Sequence, residues 1–248
     1  MTRPPEPDHN RLERERRHDR HLIDAGVESS WGWTTPAGRR RAASRARLIA
    51  AAAGLGPGAS VLEIGCGTGI FTEAFARTGA RILAVDLSEE LLTLARARSL
   101  PADRVVFLCD DVESMRLTQH FDAVVGSSVL HHLQPDRVLR RLFDALRPGG
   151  SIAFAEPNML NPQVFLERHA RAWFHYVSPD ETAFVRWRVG RQLREAGFSE
   201  VAVTPFDWLH PRTWPPLMRA VESAGAVLER TPLLREFAGS LLITGRRS

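Results

Sequence analysis

A glycine-rich turn between a short apolar stretch and a helical segment is the feature that most constrains this chain. Residues 61–69 have the sequence Val-Leu-Glu-Ile-Gly-Cys-Gly-Thr-Gly, and a helical pattern follows them. Glycines let the backbone come close to a ligand, and the first turn of a helix offers N–H groups that lack partners. A strand, a glycine loop and a helix in this order predict a nucleotide-binding site in an α/β fold.

Short apolar stretches alternate with helical segments along most of the chain. The predicted strands are 60–64, 80–85, 104–108, 121–126, 151–155, 199–203 and 239–244. The predicted helices are 39–53, 70–77, 89–98, 135–146 and 180–196, and 147–150 is expected to be a tight turn. Apolar strands separated by helices indicate a parallel sheet that is covered on both faces. The fold class is therefore α/β, with a Rossmann-like, doubly wound sheet.

The residues around the glycines indicate which nucleotide the loop suits. Gly65, Gly67 and Gly69 are present, but Ile70 occupies the position where a dinucleotide fingerprint has its third glycine. Glu63 lies two positions before the first glycine, and a carboxylate is a poor neighbour for a pyrophosphate. The loop favours a ligand whose nearby end is positively charged. A nicotinamide-dependent oxidoreductase is disfavoured, also because the chain contains no lysine for a Tyr-x-x-x-Lys pair.

Acidic residues end the second predicted strand and follow the third. Asp86 could accept hydrogen bonds from both hydroxyls of a ribose, and we favour this role over a helix N-cap. Asp110 and Asp111 follow the third strand, where a carboxylate can bind the exocyclic amine of an adenine. These two residues compete for that role, and we expect one of them to serve the turn.

With these motifs the chain resembles the class I S-adenosylmethionine-dependent methyltransferases. The matching segments lie in that family's order, at 61–72, 85–86, 110–111, 121–133 and 146–150. The resemblance implies a seven-stranded sheet with an antiparallel last strand. It also implies S-adenosyl-L-methionine as the cofactor, bound across the C-terminal ends of the first strands.

The resemblance assigns roles to individual residues. It implies that Asp86 holds the ribose, that Asp111 and Val112 form the adenine-binding pair, and that Ser127 lies near the transferred methyl. The cofactor-binding residues that we predict are Glu63, Gly65, Cys66, Gly67, Gly69, Asp86, Leu87, Asp110, Asp111, Val112 and Ser127.

Two adjacent histidines, His131 and His132, follow the fourth predicted strand. A sulfonium methyl already has a good leaving group, so the protein mainly has to align donor and acceptor. A base is needed only where the acceptor must lose a proton, and either histidine could take it. The alternative is that the pair only packs and hydrogen-bonds. His, Cys and carboxylate residues show no metal-ligand spacing, so we predict no metal site.

Three segments outside the cofactor motifs are rich in aromatic residues. We divide the chain into an N-terminal arm and lid segment, 1–38, and a methyltransferase domain, 39–248, with helical lid insertions at about 157–196 and 205–238. The predicted lid residues are Trp31, Trp33, Asn158, Trp173 and Trp208. Aromatic insertions beside a cofactor site favour a lid over an apolar acceptor, although they could simply pack extra helices onto the sheet.

Composition narrows the expected partners and location. The net charge is +4, but acidic residues offset much of the densest arginine run, 11–20, so we expect no nucleic acid partner. The first residues are polar and rich in proline, and no apolar run approaches the ~20 residues of a membrane span. We expect a cytoplasmic protein with no integral membrane association, and a homodimer is compatible with the sequence.

The sequence thus predicts methyl transfer, by in-line displacement, to a small apolar or aromatic acceptor. Oxygen is favoured over nitrogen or carbon as the acceptor atom, and specialised-metabolite biosynthesis is a suitable setting. One alternative is a methyltransferase that acts on a lipid or quinone at a membrane surface. Another is a protein that only binds the cofactor, for which equilibrium binding without turnover would be the sign.

Overall fold

A single seven-stranded sheet organises the part of the chain that the structure describes, which in this computed structural model is residues 13, 20, 22–117, 119–169 and 182–248. The strands are β1 (Ser60–Ile64), β2 (Arg81–Asp86), β3 (Val105–Cys109), β4 (Phe121–Ser127), β5 (Leu146–Pro157), β6 (Ser199–Phe206) and β7 (Ser240–Arg246). Their order is β3-β2-β1-β4-β5-β7-β6. Strands β1 to β5 pair in parallel, and β7 runs antiparallel to β5 and β6. The predicted fold class is confirmed.

Helices cover both faces of this sheet. Within the described residues the helices of at least four residues are α1 (Val27–Ser30), α2 (Pro36–Ala52), α3 (Ile70–Ala76), α4 (Glu89–Arg96), α5 (Pro135–Ala145), α6 (Pro162–His169), α7 (Arg186–Glu195) and α8 (Met218–Arg230). Short 3₁₀ turns lie at Leu130–His132, Pro215–Leu217 and Leu234–Phe237. One core packs α5 and α7 against the sheet, and the other packs α2, α3 and α4. None of the described helices is long and apolar enough to cross a membrane.

The start of β5 corrects one prediction. Residues 147–150 carry strong turn signals, and Gly149 does adopt a positive φ of 80°. Nevertheless the strand begins at Leu146, which pairs with Phe121 across a register irregularity. Gly149 and Gly150 also exchange backbone hydrogen bonds with Arg247, at 2.7 and 2.9 Å. Partners on both sides therefore extend the strand through the predicted turn.

Helix α2 begins at Pro36, three residues before its predicted start. The Thr35 side chain caps it by accepting a hydrogen bond from the Gly38 N–H at 2.9 Å, and proline suits the first helical position. The helix ends near Gly54, as predicted, where φ is 65°. The position of α2 matters for the site because the helix places arginines at the edge of the sheet where the strands end.

Candidate cofactor and acceptor site

A cavity of about 340 Å³ opens where β1, β2, β3 and β4 end, and its size suits a small molecule. The predicted cofactor residues among its lining are Gly65, Cys66, Gly67, Asp86, Leu87, Asp110, Asp111, Val112 and Ser127. The parallel strands bring these residues to one edge although they lie far apart in sequence. Glu63 and Gly69 do not line the cavity: Glu63 lies within β1, and Gly69 is the residue before α3.

The glycine loop owes its shape to left-handed backbone. Gly65, Gly67 and Gly69 have φ values of 63°, 53° and 79°, which glycine adopts at little cost. A Cβ on Gly65 would lie 2.3 Å from the side chain of Val129, so no other residue fits there. Burial raises the pKa of the Cys66 thiol well above its ordinary value, and Cys66 therefore stays neutral.

Asp86 ties the glycine loop to the end of β2. Its Oδ2 accepts a hydrogen bond from the Gly67 N–H at 2.7 Å, and its Oδ1 accepts one from the Ser88 N–H at 3.0 Å. Ser88, not Asp86, caps α4, because its hydroxyl accepts from the Leu91 N–H. Burial raises the pKa of Asp86, against the opposing effect of these N–H donors. The N-cap alternative is thus wrong, while the ribose role stays a prediction.

Three buried oxygens near the loop lack hydrogen-bond partners among the described residues: Oε2 of Glu63, Oγ1 of Thr72 and Oγ of Ser127. Glu63 is 1% exposed, and burial raises its pKa to about 8. Ser127 lines the cavity and can donate or accept. Unsatisfied acceptors beside a glycine loop fit a ligand with a cationic, hydrogen-bonding end, as the methionine part of S-adenosyl-L-methionine has.

Asp110 and Asp111 both serve the turn after β3. Asp110 accepts the Asp111 N–H at 2.8 Å, and Asp111 accepts the Glu113 N–H at 3.1 Å and the Ser114 hydroxyl at 3.0 Å. We expected one of them to serve the turn, and both do. Both also line the cavity with Val112, so the adenine-binding role stays a prediction.

His131 is paired with a buried carboxylate that the sequence interpretation missed. Its Nδ1 lies 2.7 Å from Oε2 of Glu156, and the backbone N–H groups of Val129 and Leu130 donate to Oε1 at 3.0 and 2.9 Å. Glu156 is fully buried, whereas His131 lines the cavity together with His132. The two imidazole rings lie 4.3 Å apart. A single charged residue at the end of the apolar run 151–155 was the signal that could have identified Glu156.

A second buried cluster, also missed, joins α2 to β6 and β7. Arg41 donates to Asp207 at 2.8 Å, and Arg45 donates to Asp207 at 3.3 Å and to the hydroxyls of Ser128 and Ser240. Burial lowers the pKa of Arg45 to about 10. Burial alone would raise the pKa of Asp207, but the two arginines outweigh it and hold that pKa below its ordinary value. Arginines one turn apart in an alanine-rich helix were the available signal.

The predicted lid residues separate into two groups. Trp31 and Trp33 line the cavity, and a Cβ placed on Gly67 would lie 3.4 Å from the Trp31 ring. Asn158 lies outside the lining, where its amide donates to the carbonyls of Glu236 and Ala238. Trp208 is also outside and packs on Gly225 of α8. Neither residue lines the cavity, and a lid role for the two stays a prediction. Trp173 lies outside the described residues.

The N-terminal segment is fastened to the glycine loop by a charged network. Oε1 of Glu28 accepts hydrogen bonds from the Thr68 hydroxyl, at 2.8 Å, and from Arg98. Arg98 also pairs with Glu73 at 2.8 Å. These contacts hold α1, and with it Trp31, over the cavity. Among the described residues no group of three or more His, Cys, Asp or Glu side chains is arranged to hold a metal ion.

Comparisons with known proteins agree with this geometry. The methyltransferase domain family matches residues 62–154. The chain is 31% identical over 183 residues to a ubiquinone biosynthesis O-methyltransferase of Bordetella avium, which covers 67% of this chain and 75% of the relative. It is 39% identical over 106 residues to the protein of the same name from Xanthomonas campestris pv. campestris, covering 41% and 44%. The chain thus matches less than half the length of the Xanthomonas relative.

A solved structure shows the same fold. The S-adenosylmethionine-dependent methyltransferase from Thermotoga maritima, described as a possible histamine N-methyltransferase, is similar over 93% of this chain and 100% of its own length. The TM-score is 0.67 and the sequence identity is 18%. The sequence relatives, the sheet order and the glycine loop together show that this chain belongs to the class I S-adenosylmethionine-dependent methyltransferases.

Replacing Asp86 tests the ribose assignment. We expect Asp86→Ala to weaken S-adenosylhomocysteine binding by about 1 kcal/mol or more, because buried hydrogen bonds to the ligand and to the Gly67 N–H are lost. Isothermal titration measures this change, with Asp103→Ala as a control on an exposed loop carboxylate. Unchanged affinity in a folded Asp86→Ala protein would contradict the assignment.

The buried Glu63 should make the stability of the ligand-free protein depend on pH. Its folded pKa, about 8, exceeds the ordinary value of 4.5. Its contribution is therefore complete below about pH 4.5 and is lost as the pH rises through about 8. We expect the free energy of unfolding of Glu63→Gln, relative to that of the wild type, to rise by at least about 1 kcal/mol from about pH 5 to about pH 8. Urea unfolding of both proteins measures this difference.

The exposed Glu195→Gln provides the control for this experiment, because its carboxylate is largely solvated. A difference between Glu63→Gln and the wild type that is the same at both pH values would show that the pKa of Glu63 is not raised.

Proposed function

We propose that this protein transfers a methyl group from S-adenosyl-L-methionine to an oxygen atom of a small acceptor, with His131 as the base. The observation that carries the proposal is the His131–Glu156 pair in the wall of the cavity. When bound, the cofactor would supply a methyl group from a sulfonium, whose sulfur leaves as a neutral thioether. The protein then has to position the acceptor and remove its proton.

The cofactor-binding residues occupy one end of the cavity. We propose that the glycine loop, with Ser127, holds the methionine part, that Asp86 holds the ribose, and that Asp111 with Val112 contacts the adenine. In support, all of these residues meet at the ends of adjacent strands, and the Ser127 hydroxyl has no other partner among the described residues. This leaves the side of the cavity that is lined by Trp33, His131 and Pro157 for the acceptor.

Glu156 selects the reactive form of His131. A carboxylate can only accept hydrogen bonds, so the imidazole donates its Nδ1–H to Glu156 and carries its lone pair on Nε2. Proton transfer from an acceptor hydroxyl to Nε2 produces an imidazolium beside a buried negative charge, which stabilises it. The Thr182 N–H and hydroxyl donate to the His131 carbonyl, at 3.2 and 3.1 Å, and restrain the backbone.

Oxygen is the proposed acceptor atom because a hydroxyl must lose its proton, whereas many nitrogen acceptors react as neutral amines. The relatives, which are ubiquinone biosynthesis O-methyltransferases by name, support the same choice. We place this activity in the cytoplasm, in small-molecule biosynthesis and without a nucleic acid partner. A homodimer is compatible with the proposal and not required by it.

A second candidate is a lipid or quinone acceptor taken from a membrane surface. It is supported by the relatives' names and by exposed apolar side chains on three segments, namely Phe165, Leu166, Trp214, Leu217 and Phe237. Hydrogen bonds from Asn161 to the Phe237 carbonyl and between Gln163 and His210 join these segments. This candidate predicts that the protein sediments with phospholipid vesicles and that Trp214→Ser weakens sedimentation severalfold. Absence of the wild-type protein from the vesicle pellet would contradict this candidate.

Proton removal by His131 predicts a specific pH–rate profile. With a panel of phenols and catechols, product S-adenosylhomocysteine should form at a rate that falls at low pH as His131 becomes protonated. His131→Ala should lose this limb and lower kcat by about 10²- to 10⁴-fold. Glu156→Gln should lower kcat too, because an amide N–H facing Nδ1 would move the ring proton to Nε2.

Both variants should still bind S-adenosylhomocysteine, and the exposed His120→Ala serves as the control. If His132→Ala loses the acidic limb while His131→Ala keeps it, the assignment of the base to His131 is wrong.

A further inference from the structure

Helix α2 brings two arginines to the acceptor side of the cavity. Arg41 and Arg45, one turn apart, both contribute to the lining. The Arg45 side chain is 5% exposed and that of Arg41 is 15% exposed, so Arg41 is the one that a ligand can reach more readily. Arg168 of α6 lines the cavity as well. Neither the proposed cofactor contacts nor the proposed base accounts for this cationic wall.

Of the carboxylates close to these arginines, one lines the cavity among the described residues. Asp207 serves both Arg41 and Arg45 and does not itself line the cavity. Glu156 is close enough to Arg45 to influence it, but it already accepts three hydrogen bonds from the 129–131 segment. The acidic residue on the lining here is Glu167, which accepts from the Gln163 amide at 2.8 Å. Among the described residues, three arginines and one glutamate thus line this end of the cavity.

The acidic lining residues lie mostly at the other end. Asp86 ends β2, and Asp110 and Asp111 follow β3. In the sheet, β2 and β3 lie on one side of β1, whereas β4 and β5, over which α2 packs, lie on the other. The cavity is thus acidic towards the proposed ribose and adenine end and basic towards the acceptor end.

The polar groups around Arg45 are incompletely satisfied. Its Nε is buried and has no hydrogen-bond partner among the described residues. The Ser128 hydroxyl accepts from Arg45 at 3.3 Å, which leaves its own proton available to donate, and Ser128 lines the cavity. A buried guanidinium that shares its counter-ion is costly to maintain. An anion in the cavity would reduce this cost and gain charge-assisted hydrogen bonds.

An aromatic wall stands beside the arginines. The Trp33 ring centroid lies 5.6 Å from the guanidinium carbon of Arg41 and 5.5 Å from that of Arg45. Trp33 also meets Phe71 edge to face, at 5.8 Å, and both line the cavity. A flat ring against Trp33 would place a substituent next to Arg41, whose Nε and Nη2 already bind Asp207 and whose Nη1 carries the remaining donors.

We infer that the acceptor is an aromatic carboxylate whose anionic group binds at Arg41, with Ser128 as a second donor and Trp33 against the ring. This inference rests on the proposed function and adds the substrate class. It also makes a cationic acceptor, such as an alkylammonium compound, a poor substrate, because it would face Arg41, Arg45 and Arg168. The carboxylate end would be held on the α2 side, so that a ring hydroxyl points towards Ser127 and His131.

Benzoate and benzamide are suitable probes because they share a ring and differ in charge. Titration of each into protein saturated with S-adenosylhomocysteine, followed by NMR chemical shifts, measures their affinities without turnover. We expect the wild type to prefer benzoate by about tenfold, the scale of one charge-assisted hydrogen bond. Arg41→Gln should abolish the preference and leave benzamide affinity unchanged.

Arg40→Gln is the matched control. Arg40 is the preceding residue of α2, is exposed, and pairs with Glu222 at the surface. This variant should keep the tenfold preference. Arg41→Lys should keep part of the preference because it retains the charge, and it substitutes for Arg41→Gln if that protein does not fold.

Three outcomes would overturn the inference: equal affinities of the wild type for the two probes, a benzoate preference that persists in folded Arg41→Gln, or an equal loss in Arg40→Gln. The proposed function fails separately, by an absence of S-adenosylhomocysteine binding to the wild type or of methyl transfer to any acceptor. A protein that methylates neutral phenols and binds both probes equally would keep the proposed function and lose the carboxylate inference.

Discussion

The buried carboxylate of Glu156 is the group on which the acceptor side of the cavity depends. It gathers the N–H groups of Val129 and Leu130 and the His131 ring around the end of β5. Val129 in turn packs so closely on Gly65 that only glycine fits there. The carboxylate therefore positions the proposed base, His131, and also the wall against which the glycine loop rests. Hydrogen bonds of this kind reinforce one another in a low dielectric, and a missing partner is correspondingly costly.

Local patterns made the cofactor half of the site predictable. Glycine spacing reports backbone conformation directly, and an acidic residue at a strand end has a known position once the strand is recognised, as for Asp86. The acceptor half depends on pairs that are distant in sequence. Arg41 and Arg45 meet Asp207 across more than 160 residues, and no local pattern links them. Residues 147–150 likewise carry turn signals, but they belong to β5 because Phe121 and Arg247 supply strand partners.

The buried acids beside the glycine loop suggest how the ligand-free protein is prepared for its cofactor. Burial raises the pKa of both Glu63 and Asp86, so each is harder to ionise than in water. A positively charged ligand favours the ionised forms, so its binding offsets part of the free-energy cost of ionising these buried acids. Such a site is less stable when empty than one lined with neutral residues, and the difference contributes to the affinity for a cation. The same reasoning explains why a pyrophosphate would be rejected.

The opposite charges at the two ends of the cavity follow from the order of the strands. Because β1 lies between β2 and β4, a ligand that spans the ends of β2 and β3 leaves the ends of β4 and β5 for a second molecule. Carboxylates on the first side suit the hydroxyl- and amine-bearing parts of a cofactor, and arginines on the second attract an anion. Exchanging the two ligands would bring like charges together at both ends. The electrostatic arrangement therefore orients donor and acceptor towards each other before any base acts.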